Sequence, residues 1–248
     1  MTPTTTAAAP SQIHTPTPTP IPTVTPALHP APTPTPTPWA ADPFAEAIRR
    51  GRGPLWLRRT DGHRYPLDVA RWCAAPDAAD RTLLRRCLHR GLPAIDLGCG
   101  PGRLVAELQA HGLPALGVDI TRAAVARTRG LGGSALCRSV FDPLPGEGRW
   151  GTALLADGNV GIGGDPGALL ARAADLLGPC GHLLVEVESE ELEERVTVAV
   201  EDASGRRGPT FRWARLGAAA TLREAVGRFD LADSWTAGGR SFLALERL

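Results

Sequence analysis

Lysine is absent from the 248 residues, so all 27 basic side chains are arginine. With 28 glycines and 24 prolines beside them, this reads as the codon bias of a GC-rich genome and carries no functional meaning of its own. No run of 18 apolar residues occurs, which excludes a membrane-spanning helix. The N-terminus lacks both the charged and the apolar region of a secretory signal, so the expected compartment is cytoplasmic. Cysteine is sparse and scattered: Cys73, Cys87, Cys99, Cys137 and Cys180 are an odd number without CxxC spacing. Reduced thiols fit that pattern better than a disulfide framework or a zinc site, and no metal is expected. Charge of one sign is missing as well. A net of +1 argues against a general nucleic-acid or membrane-surface binder.

Residues 1–40 hold 12 prolines and 12 threonines and no Asp, Glu or Arg. Proline fixes φ and removes amide donors, and there is too little apolar content to offset ordering. Residues 1–41 are therefore expected to form a disordered, polyproline-II-like tail. A dispensable extension, a spacer, and a docking or modification segment are all open readings of it.

From Asp42 the composition becomes globular. Asp42-Pro43 starts a short helix ended by Gly51, and two strands flank Thr60-Asp61-Gly62 as a hairpin. Asp77, with Asp80 three residues on, caps a helix to Leu88. Then strand and helix alternate. Strands are read at residues 94–97, 115–119, 135–141, 152–156 and 182–187; helices follow at Arg103, after Thr121, and after Asp165-Pro166. The last elements are a helix over 221–229 and a hairpin of 231–236 with 241–246. The pattern predicts an α/β doubly wound, mostly parallel sheet in three layers, whose ligands bind outside the carboxyl ends of the strands.

At the first of those ends stands Asp96-Leu97-Gly98-Cys99-Gly100-Pro101-Gly102, and Asp119 ends the next strand 21 residues after Gly98. Glycines allow a tight turn and close backbone approach to a ligand, and an acid at that place can accept both ribose hydroxyls of a nucleoside. A dinucleotide fold would want its third glycine at position 103, which is Arg103. The motif instead resembles that of the class I S-adenosylmethionine (SAM)-dependent methyltransferases, acid-x-Gly-x-Gly-x-Gly. The resemblance covers Leu92 to Leu248 and implies a Rossmann-like sheet of seven strands closed by an antiparallel hairpin, with SAM as cofactor. It also implies that Gly98, Cys99, Gly100 and Gly102 line the methionyl part, with Asp96 near its amino end. Asp119 would take the ribose, and Ile120 would pack on the adenine. The acid that often holds the adenine amino group is missing; Ser139, Val140 and Phe141 stand there, with Asp142 as a substitute. After the fourth strand, Asp157-Gly158-Asn159-Val160-Gly161-Ile162-Gly163-Gly164 faces the transferable methyl in such enzymes. Asp157 and Asn159 either contact the acceptor, or Asp157 binds cofactor or caps the loop while Asn159 supports a turn. The Asn/Asp-Pro-Pro-aromatic motif of nucleic-acid amine methylases is absent.

The resemblance divides the chain into the tail (1–41), an N-terminal lid or cap (42–91) and the SAM-binding domain (92–248) with an inserted β-hairpin at about 195–215. Residues 44–92 carry eleven arginines against five acids, suited to an anionic small molecule. Six glutamates lie within 186–194, read as a solvated acidic loop, with a cationic acceptor or pairing to the basic segment as alternatives. Trp56, Tyr65, Trp72 and Trp213 are either core or the lining of an apolar acceptor pocket. His63 is a candidate base or an exposed turn residue; His89, His111 and His182 read as structural. The implied function is methyl transfer to an oxygen, nitrogen or carbon of a small-molecule acceptor. Alternatives are a nucleic-acid or protein methyltransferase, a non-catalytic SAM-binding module, and a nicotinamide-dependent enzyme.

Overall fold

The computed structural model describes Met1 and residues 43–248, so the expectations for the Thr/Pro-rich tail lie outside the described residues. Two sheets organise the rest. The larger has seven strands: β3 (Ala94–Leu97), β4 (Ala115–Asp119), β5 (Ala135–Cys137), β6 (Trp150–Leu155), β7 (Leu177–Val187), β10 (Phe229–Ala237) and β11 (Arg240–Arg247). Their order is β10-β11-β7-β6-β3-β4-β5, with β11 antiparallel to β7 and the strands from β7 to β5 parallel. The order reverses between β3 and β6, so the loops after these two strands meet at the switch point where such sheets hold ligands.

Alternation along the central strands sends side chains to two separate cores. Ile95, Leu97, Ala153, Leu155, Leu183 and Val185 pack with Leu169, Leu170 and Ala173 of α6 (Pro166–Leu176). Ala94, Leu154, Leu184 and Phe242 pack with Leu83 and Leu84 of α3 (Asp80–Arg90) and with Leu104 and Leu108 of α4 (Arg103–Ala110). This is the expected three-layer arrangement. Two caps follow the sequence signals: Asp165 accepts the Ala168 N–H at 3.0 Å, and Asp77 and Asp80 accept each other's backbone N–H groups at 2.8 and 3.2 Å. α3 begins at Asp80, two residues later than a cap at Asp77 would place it.

Three boundaries differ from expectation for identifiable reasons. β5 stops at Cys137 rather than running to Phe141, because Ser139 and Asp142 close a turn: the Asp142 N–H donates to the Ser139 carbonyl and the Ser139 N–H to Asp142 Oδ2. β7 begins at Leu177, before His182, since Leu177 pairs with Trp150 of β6 ahead of an irregularity, with Cys180 at φ 54°, after which the register resumes at His182. α7 (Ala218–Ala225) starts and ends early, with Gly227 at φ 75° turning the chain into β10.

The second sheet was not foreseen as a unit. The hairpin of β1 (Leu55–Arg59) and β2 (Arg64–Leu67) pairs with the hairpin of β8 (Glu193–Asp202) and β9 (Arg207–Leu216) in the order β2-β1-β8-β9. Sequence reading found both hairpins but not that they join across the length of the domain. Leu55, Leu57, Val198 and Val200 bury their side chains together with Phe44 and Ile48 of α1 (Phe44–Arg50) and Val69 of α2 (Val69–Cys73). No helix among the described residues is long and apolar enough to cross a membrane.

Candidate functional site

The loop from Gly98 to Gly102 turns tightly out of β3. The Gly98 and Cys99 N–H groups donate to the Val118 carbonyl at 2.8 and 3.0 Å, and the three glycines have φ of 78°, 53° and 82°. Their demands are not equal. A Cβ on Gly98 would stand 2.7 Å from Asn159 Nδ2, and one on Gly102 would stand 2.3 Å from Thr128, so both are fixed by close packing. A Cβ on Gly100 would meet nothing within 4 Å. Gly100 is therefore where bare backbone opens onto free space.

Asp119 locks this loop. Its Oδ2 accepts the Gly100 N–H at 2.9 Å and its Oδ1 accepts the Thr121 N–H at 2.7 Å. Burial raises its carboxyl above the usual value, opposed by these backbone bonds. The Thr121 hydroxyl also bonds this carboxylate, which keeps room for one further donor.

A cleft with about 1230 Å³ of empty space, its open mouth included, lies against the loop. Gly98, Cys99 and Gly100 line it, followed by Asp119 and Ile120, then Ser139, Val140 and Phe141, and finally Asp157. Two residues singled out from the sequence, Gly102 and Asp96, are not part of its wall. Gly102 packs behind it on Thr128. Asp96 points, with Leu154 beside it in register, into the core under α3 and α4. Asp142, the substitute acid for adenine, is committed to its turn, and the Ser139 hydroxyl accepts the Phe141 N–H at 3.2 Å. Burial pushes the Cys99 thiol well above its usual range, so it is a neutral filler beneath Gly117.

Beneath the cleft sits a charge cluster that sequence reasoning missed. Arg103 is 5% exposed and grips two carboxylates with both forks: Asp80 through Nε and Nη2 at 2.7 and 2.8 Å, Asp157 through Nη1 and Nη2 at 2.7 and 3.0 Å. Arg240 bonds Asp80 at 2.9 Å and Glu186 at 2.8 and 2.6 Å, and Glu186 in turn accepts the Asp157 N–H at 2.6 Å. Arg71 of α2 completes the set with an ion pair to Asp157 at 2.8 Å. Burial alone would raise the Asp80 and Asp157 carboxyls; the arginines outweigh it and hold both below the usual range. Asp96 has no such grip. Burial pushes its carboxyl to about 7, with Arg103 opposing and Asp157, Asp119 and Asp80 adding. Three arginines thus face three carboxylates, and Asp96 is a fourth acid whose carboxyl burial raises to about 7. One signal was legible: an arginine at the first helical position opposes the helix dipole unless acids surround it.

Asp157 lines the cleft with its carboxylate held by arginines and its backbone at φ 58°. Asn159 donates from Nδ2 to the Leu97 and Gly98 carbonyls at 3.1 and 2.8 Å, tying the two loops of the switch point together. The glycines after it serve backbone approach. A Cβ on Gly161 would lie 2.0 Å from the Ala214 carbonyl, and one on Gly164 would lie 2.6 Å from Arg212 Cβ, so β9 seats directly on this loop. An isolated bridge from Ile162 to Trp213 fixes the contact.

Much of the acidic run is paired, with Glu190 and Glu191 left exposed. Glu188 and Glu194 both bind Arg215, Glu194 also binds Arg59 and Tyr65, and Glu193 binds Arg195 and Arg223. Part of the basic N-terminal segment is used up the same way. Of the four candidate aromatics, Trp72 and Trp213 line the cleft, whereas Trp56 lies under Arg64 and Tyr65 under Arg215. His63 is exposed at the β1–β2 turn, edge-on to Tyr65.

No family model matches the chain, and no curated protein does either. Solved structures do. A SAM-dependent methyltransferase from Bacteroides fragilis, in complex with S-adenosyl-L-homocysteine, superposes with a TM-score of 0.68 at 18% identity, over 82% of this chain and 92% of its own. The glycopeptide N-methyltransferase MtfA, complexed with S-adenosyl-L-homocysteine, gives 0.54 at 18% identity over 71% and 91%. The Burkholderia thailandensis 1,6-didemethyltoxoflavin-N1-methyltransferase, with its substrate and S-adenosylhomocysteine bound, gives 0.50 at 20% identity over 68% and 78%. With the strand order and the loop geometry above, these likenesses establish that the chain has the fold of the class I SAM-dependent methyltransferases.

Proposed function

We propose that the protein transfers a methyl group from SAM to a small-molecule acceptor. The observation that carries this is the pairing of Gly100, whose backbone opens onto the cleft, with the Asp119 carboxylate that lines the same cleft. The residues present fit the cofactor. Asp119 keeps an acceptor site for a ribose hydroxyl, Ile120, Val140 and Phe141 offer apolar surface to the adenine, and the Gly98–Gly100 backbone faces the methionyl part. Arg103 supports this over a dinucleotide, because its buried side chain fills the place where a third glycine would let helix and strand close up. Bound SAM supplies an activated methyl on a sulfonium, so transfer depends on alignment and exclusion of water more than on a strong acid or base. Residues 42–91 act as a cap, tied to the core by the Arg71–Asp157 ion pair. A small acceptor agrees with a cleft bounded by α1, α2 and β9 and with a net charge of +1.

Calorimetric titration with SAM, S-adenosylhomocysteine and NAD in parallel tests the reading. Saturable binding of the first two and none of NAD is expected; binding of NAD alone overturns it. Asp119→Ala should weaken S-adenosylhomocysteine binding by about 1.5–3 kcal/mol, a charge-assisted hydrogen bond's worth. Unchanged affinity in a variant that still melts near the wild-type temperature would remove Asp119 from the ribose site.

A further inference from the structure

The cleft has a second set of walls that the cofactor assignment does not use. Phe44, Leu67 and Trp72 come from the N-terminal segment, and Phe211 and Trp213 from β9. They form two aromatic pairs, Phe44 with Trp72 at 6.4 Å between ring centroids and Phe211 with Trp213 at 6.2 Å, edge to face. Arg212 lies between the latter two and also lines the cleft.

Among the described residues, the carboxylates along this cleft, Asp119 and Asp157, are both committed. Asp157 is held by three arginines and Asp119 by two loop amides, and the Cys99 thiol is a buried neutral group. Arg103 spends both its forks on carboxylates, and Arg138 donates to the Pro143 carbonyl at 2.7 Å. None of the described histidines lines the cleft. A polyhydroxylated or ammonium-bearing acceptor would bury donors here without partners, at a cost that aromatic surface does not offset. Nor, among the described residues, does a histidine or an uncommitted carboxylate stand placed to take a proton from the acceptor.

Resting on the methyltransferase reading, we infer that the acceptor is a planar aromatic small molecule whose reacting oxygen or nitrogen brings its own lone pair. A phenol would arrive ionised, its proton already lost to water. The phenolate lone pair forms the new bond to the methyl carbon as the carbon–sulfur pair returns to sulfur. The anion and the sulfonium thereby become a neutral ether and a neutral thioether, and no protein group changes protonation. Aromatic walls suit that neutralisation, since charge leaves a site of low polarity.

The test uses full-length protein saturated with S-adenosylhomocysteine and titrated calorimetrically with 1-naphthol, 4-nitrophenol and glucosamine. The two aromatic compounds should bind at least about tenfold more tightly than glucosamine, the difference expected of well-formed aromatic contacts. Phe211→Ala should weaken the aromatic ligands about tenfold and leave S-adenosylhomocysteine affinity unchanged, while Phe211→Leu recovers part of the loss. In turnover with SAM, the pH dependence of kcat/KM should follow each phenol's own acidity, with the more acidic 4-nitrophenol reaching its plateau at lower pH. Preference for glucosamine, or one enzyme pKa shared by both phenols, overturns the acceptor class while the cofactor reading stands. Failure of S-adenosylhomocysteine itself to bind overturns both.

Discussion

Replacing Arg103 with leucine should lower folding stability by about 3–5 kcal/mol, the usual penalty for removing one partner of a buried ion pair. The size follows from what is left behind. Asp80 is fully buried, and it loses two of its three arginine bonds. Asp157 loses its bidentate partner while its backbone stays pinned by Glu186. Two carboxylates then share the low-dielectric space under the glycine loop with Arg240 and Arg71 alone. Lysine should not rescue, because a single ammonium lacks the planar fork that serves both acids at once. Equilibrium denaturation in urea at pH 7 measures the effect; a loss under about 1 kcal/mol, no more than a surface pair contributes, would show that the cluster rearranges freely. The consequence reaches the site itself. Arg103 opens α4 directly behind Gly102, so a frayed cluster should also weaken S-adenosylhomocysteine binding in molecules that remain folded.

The sequence-level reading succeeded where the signal is local. Glycines, capping acids and short apolar runs located the strands, the switch-point loops and Asp119, because turn chemistry and period-two burial are written within a few residues. It failed where the partner is distant. Nothing near Asp80 announces Arg103 and Arg240, and nothing near Leu55 announces Val200. The same limit explains the glutamates of 186–194, which looked solvated because their arginines (Arg59, Arg215, Arg223 and Arg240) lie elsewhere in the chain. The glycines after Asp157 were legible as a device for close approach. That β9, and not a substrate, approaches Gly161 and Gly164 required the fold. Asp96 shows the limit from the other side: the motif position was found, but the face of β3 it occupies puts it in the core.

That placement gives Asp96 an unusual influence on stability. An ordinary carboxyl titrates the other way: Asp80 and Asp157, held low by arginines, stabilise the fold above pH 3.8 and lose that contribution as pH falls below it. Asp96 is raised from 3.8 to about 7. Between those two values the native state keeps a proton that the unfolded chain has released, so stability from this group is complete below pH 3.8. It falls as pH rises toward 7 and is flat beyond. A separation of roughly three units corresponds to about 4 kcal/mol. Asp96→Asn keeps the shape and cannot ionise, so its denaturation free energy should lack this decline. Measured at intervals from about pH 4.5 to about pH 8, a range that spans the titration of this group, the two proteins should diverge progressively, with the variant the more stable by a few kcal/mol at the alkaline end. Parallel profiles would mean that Asp96 is ionised throughout and that its negative charge is needed beside Arg103. Divergence would mean that the three arginines under the glycine loop are already balanced by Asp80, Asp157 and Glu186. On that outcome, adding Arg103→Leu to the Asp96→Asn variant should cost more at about pH 8 than at about pH 5, since Asp80 and Asp157, raised by burial once Arg103 is gone, relieve part of the penalty by taking up protons as pH falls.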